Sequence, residues 1–65
     1  MHLAVLVVLD KDLKTEVTMN ISNISTITLF KGFTIIKMNN HDLITTEEEY
    51  SDVMDKIDAA ISVNN

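Results

Sequence analysis

Apolar residues occupy seven consecutive positions near the amino terminus, Leu3 to Leu9 (LAVLVVL), before the pattern turns to alternation. An unbroken run rich in β-branched valine predicts a strand covered on both faces. From Thr15 to Ile21 (TEVTMNI), Val17, Met19 and Ile21 alternate with Thr18 and Asn20. That period of two predicts a half-buried strand, paired with the first through the charged turn Asp10-Lys11-Asp12. Ser22-Asn23 interrupts the alternation, and Ile24 is expected to turn back into the core. Two further strand patterns, STITLF (Ser25 to Phe30) and FTIIKM (Phe33 to Met38), flank Lys31-Gly32. The chain's only glycine stands where a two-residue hairpin loop needs a positive φ. Asn39-Asn40-His41-Asp42 predicts a second polar turn, followed by a short return strand, Leu43 to Thr45.

The period then becomes helical. Thr46 and, three residues on, Glu49 have the spacing of a capping box, and Glu47, Glu48 and Glu49 suit the positive end of a helix dipole. Tyr50, Val53, Met54, Ile57, Ala60 and Ile61 form one apolar stripe, predicting an amphipathic helix over residues 46–62 that lies against the sheet. Asp52 stands four residues before Lys56, the favourable order for an ion pair. The expected fold class is α+β: an antiparallel sheet of about five short strands followed by one C-terminal amphipathic helix packed on one face. Residues 1–65 read as a single small domain, with Asn64-Asn65 as a frayed end.

One helix covers one face of one sheet, which leaves the other face of the first strand without cover. A chain of 65 residues with no cysteine has no disulfide or thiolate metal site to supplement a small core. A second copy is the natural source of the missing buried surface. Leu3, Val5, Val7 and Leu9 are therefore the candidate oligomer interface, and a homo-oligomer is expected.

Charge narrows the range of partners. Ten acidic residues against five lysines give a formal net charge of −5, with no arginine. The lysines are scattered singly, so direct nucleic-acid binding is not expected. Glu48, Asp52, Asp55 and Asp58 recur along the expected helix face and are the candidate partner-binding residues, suited to a basic protein surface. The apolar run is far shorter than the roughly 20 residues a membrane-spanning helix needs, and Met1-His2 lacks the basic start of a secretory signal. No membrane association and a cytoplasmic location are expected. The Ile, Asn and Lys-rich, arginine-free composition suits an AT-rich genome, such as that of a low-GC bacterium or its phage.

Three clusters carry groups capable of chemistry. Asp10, Asp12 and Glu16 lack the glycine and distal glutamate of a calcium loop and read as a charged hairpin turn. His2 and His41 stand in unrelated contexts, and neighbours such as His41 and Asp42 in a turn rarely adopt a base-and-orienter geometry. Tyr50, Ser51 and the adjacent glutamates are accounted for by the helix start and the apolar stripe. No catalytic residue, metal site or cofactor is expected.

The pieces MNISNI (Met19 to Ile24), TITL (Thr26 to Leu29), TIIKMNN (Thr34 to Asn40) and TTEEEYSDVMDKI (Thr45 to Ile57) resemble the small flagellar FlbD-like proteins, with which the SwrD proteins of Gram-positive bacteria are grouped. Phage genomes also encode proteins that resemble this family. The resemblance covers about two thirds of the chain and implies the strand, strand, helix order, with no catalytic residues. The leading functional expectation is a non-enzymatic, oligomeric protein-interaction module of accessory or regulatory type. The alternative is a phage or mobile-element inhibitor that places carboxylates where a host nucleic-acid-handling or defence complex expects phosphates. A binder of a small ligand between protomers is the third.

Overall fold

The computed structural model describes residues 3–64, with side chains through residue 62. His2 and Asn65 lie outside the described residues, as does the side chain of Asn64. Five strands precede one helix: β1 (Val5–Asp10), β2 (Thr15–Asn20), β3 (Ile24–Phe30), β4 (Phe33–Met38), β5 (Leu43–Thr46) and α1 (Tyr50–Asn64), with a single 3-10 turn at Ile21–Asn23. All pairing is antiparallel, as expected for the α+β class. The strands divide into a β1-β2 hairpin and a β3-β4-β5 meander. The two are joined where Lys11 N–H donates to the Thr45 carbonyl at 2.9 Å.

Each turn follows from its residues. Lys31 and Gly32 take φ of 52° and 83°, the paired positive values of a tight hairpin turn whose twist matches that of the strands. Asp10 does not begin the first turn, as the sequence had suggested, but ends β1 and is buried. Its Oδ1 accepts from the N–H groups of Asp12 (2.8 Å) and Leu13 (3.1 Å), so the carboxylate organises the turn from beneath. The polar turn before β5 is closed by Met38 N–H on the Asp42 carbonyl and His41 N–H on the Met38 carbonyl, each at 2.9 Å.

The core consists of Leu6 and Val8 from β1, Met19 from β2, Ile36 from β4, and Val53 and Ile57 from α1. Val17, Ile21, Ile24, Ile27, Met38, Ile44 and Met54 pack around it. Strand register explains the selection: Leu6 faces Met19 and Val8 faces Val17 on one side of the hairpin, while Ile36 lies between Ile27 and Ile44. The helix packs against β1 and β4 and closes this layer.

Four expectations for the helix are corrected. It begins at Tyr50, not residue 46, and the capping box does not form. Thr46 is the last residue of β5, fully buried opposite Thr34, and its hydroxyl accepts from Glu48 N–H two residues on. The first helical hydrogen bond instead runs from Val53 N–H to the Glu49 carbonyl. Lys56 does not pair with Asp52; its ammonium bonds the Glu48 carboxylate. Tyr50 and Ile61, assigned to the buried stripe, are exposed. A helix of 15 residues is about 22 Å long, more than this small core spans, so both ends of the stripe overhang it.

Candidate functional site

The two faces of β1 differ sharply. Leu6 and Val8 are almost completely buried, whereas Leu3, Val5 and Leu9 are 61, 38 and 51% exposed, with Val7 half-buried. The expected cover on both sides is therefore not provided within one chain: the helix takes one face and the other is open. Opposite Val5, Val7 and Leu9 stand Asn20, Thr18 and Glu16 of β2. Glu16 is the only charge on this paired outer surface, in a chain with ten carboxylates.

The edge of β1 turned away from β2 is closed by side chains. Glu48 Oε2 accepts from Leu9 N–H at 2.9 Å, and Lys56 Nζ donates to the Val7 carbonyl at 3.0 Å. The same two side chains bond each other. Glu48's backbone is held as firmly, because Thr34 Oγ1 donates to its carbonyl at 2.9 Å and Thr46 Oγ1 accepts from its N–H at 3.2 Å. Burial pushes the Glu48 carboxyl pKa up, but the Lys56 ammonium, Leu9 N–H and the Thr46 hydroxyl outweigh it and hold the group below its ordinary 4.5. An ion pair thus stands where a sixth strand would otherwise hydrogen-bond.

Of the four acidic residues expected on an exposed helix face, Glu48 is excluded. It precedes the helix, is partly buried, and serves the β1 edge. Asp52, Asp55 and Asp58 do lie exposed on α1, and no lysine is within ion-pair distance of them among the described residues. Nothing in the local sequence announced the role of Glu48, whose partners lie 39 residues before it and 8 after it.

The remaining groups stay apart. His41 is exposed at φ 76°, and Asp42 Oδ2 accepts from Asn40 Nδ2 at 3.1 Å. Leu29, Gly32, Glu49, Tyr50 and Ser51 line a shallow open notch where the β3-β4 turn meets the start of α1. Among the described residues no three His, Asp or Glu side chains are grouped closely enough to hold a metal ion, and no helix is long and apolar enough to cross a membrane. In comparisons with known proteins, no family model, curated protein or solved structure matches the chain.

Proposed function

We propose that this chain is a non-enzymatic, self-associating protein-interaction module of the cytoplasm, in which a second copy covers the outer face of β1. The open, nearly uncharged surface of Leu3, Val5, Val7 and Leu9 carries this reading. Two copies, each at −5, repel one another except through a charge-poor window, and this face is such a window. Exposed contiguous apolar surface on a small chain is the usual mark of an interaction site. The resemblance to the FlbD-like proteins fits an accessory role of this kind.

Val5→Asp places a carboxylate on the outer face of β1 in every copy without touching the buried side of the strand. At micromolar concentration, light scattering is expected to give a multiple of the chain mass for the native protein and a smaller assembly for Val5→Asp, with an unchanged circular dichroism spectrum. Equal masses for the two would reject this face as the interface.

The unpaired Asp52, Asp55 and Asp58 support a second reading: a basic protein partner meets the helix, as in a phage or mobile-element inhibitor acting through charge imitation. With a cationic peptide as the probe, Asp52→Lys/Asp55→Lys is expected to abolish binding and its dependence on salt. Binding that persists unchanged in the double variant dismisses this reading.

A further inference from the structure

We infer that β3 is a second self-association site, at which two copies pair edge to edge and antiparallel about a two-fold axis passing at Thr28; this extends the self-association proposed above and rests on it. β3 ends the order β3-β4-β5, and among the described residues β4 is its only hydrogen-bonded neighbour. The backbone groups on its other side lack a ladder. Chains normally blunt such an edge with charge, proline, a bulge or a covering element.

The contrast within this molecule is informative. The free edge of β1 is closed by Glu48, Lys56 and the Lys11–Thr45 hydrogen bond. β2 carries Glu16 and is flanked by the charged turn containing Asp12 and Lys14. β3 reads ISTITLF, and from Val17 to Phe30 there is no charge at all. Its one irregularity is a register shift between Ile24 and Thr26, which leaves Thr26 to Phe30 regular.

That regular segment complements itself. With the axis at Thr28, Thr26 of one copy meets Phe30 of the other, Ile27 meets Leu29, and the two Thr28 side chains face each other. Aromatic with β-branched, aliphatic with aliphatic and threonine with threonine are favourable cross-strand pairs. Thr28 pairs with Ile35 and Thr26 with Lys37 on the outer side of the sheet, while Ile27 and Leu29 pair with the buried Ile36 and Thr34. Leu29 and Phe30, 60 and 54% exposed in the single chain, gain cover, and no carboxylate faces another. Two three-stranded sheets become one of six strands.

The chain has no cysteine, so Thr28→Cys introduces a unique thiol. Facing residues in antiparallel strands have Cα atoms about 4.5–5.5 Å apart, within the range of about 4.4–6.8 Å that a disulfide bridges. Under copper-phenanthroline oxidation, Thr28→Cys is expected to form a covalent dimer, while Ala59→Cys, exposed on the helix, stays uncrosslinked at the same concentration. Thr28→Lys, which opposes two ammonium groups, is expected to lower the assembly mass with the fold retained by circular dichroism. Equal cross-linking of the two thiols, or an unchanged mass for Thr28→Lys, overturns the inference. If Val5→Asp lowers the mass and Thr28→Lys does not, only the β3 edge is rejected. A native chain that is monomeric rejects both interfaces.

Discussion

Ile36→Ala is expected to leave almost no folded chain at room temperature. Ile36 is fully buried at the centre of the meander, between Ile27 and Ile44, and shares the core with Leu6, Val8, Val53 and Ile57. Truncating a side chain so placed costs about 2–5 kcal/mol, through lost burial and the cavity left behind. A single core in a chain of this size supplies at most about 3–5 kcal/mol of net stability, so the change removes most or all of it. Ile36→Val, which costs about 1 kcal/mol, should fold and melt at a lower temperature. Urea titration followed by circular dichroism decides the matter. A midpoint for Ile36→Ala close to that of the native chain would show that the core is not concentrated where its burial places it.

Glu48→Ala should produce the next largest loss, about 2 kcal/mol, unusual for a partly exposed carboxylate. A hydrogen bond to a charged group contributes about 1.5–3 kcal/mol, whereas a solvent-exposed ion pair contributes at most about 1 kcal/mol. The Lys56 side chain is 46% exposed and that of Glu48 27%, so most of the effect belongs to the Leu9 hydrogen bond and to the loss of closure at the β1 edge. The variant should also scatter more light on concentration, because the N–H of Leu9 becomes available to other strands. Acid tests the same group. Its folded-state pKa lies below the ordinary 4.5, so the unfolded chain takes up the proton first as pH falls. The stability contributed by Glu48 is therefore complete above 4.5 and is lost as pH falls through the depressed folded value. The native chain should lose more urea resistance than Glu48→Ala between neutral pH and a pH well below 4.5. Parallel losses would show that the carboxylate does not hold the edge.

Local pattern carried much of the architecture. The single glycine located the β3-β4 turn, the period of two identified β2, and the stripe containing Val53 and Ile57 placed the helix against the sheet. Helical spacing also put Asp52, Asp55 and Asp58 outward. The failures share a cause. Thr46 and Glu49 have the spacing of a helix cap, but β5 needs one more residue opposite Thr34, and the buried pairing of two threonines overrides the local preference. Once β5 takes Thr46, the helix starts later and Glu48 leaves its face. Lys56 then has a partner held by Thr34 and Thr46, which the i, i+4 rule could not foresee. The unbroken apolar run LAVLVVL gave β1 two apolar faces, and the helix covers the one bearing Leu6 and Val8, leaving Leu3, Val5 and Leu9 exposed.

Dependence of the core on α1 also bears on synthesis at the ribosome. Two of the six buried apolar side chains, Val53 and Ile57, come from the last element, as does the ammonium on the Val7 carbonyl. While those residues remain in the exit tunnel, the emerged strands display Leu6, Val8 and Ile36 to solvent. A nascent chain stalled on an appended C-terminal linker should therefore be cut readily by protease while the linker is too short to bring Ile57 out of the tunnel, and become resistant once it is long enough, making this a domain that is acquired with its helix rather than strand by strand.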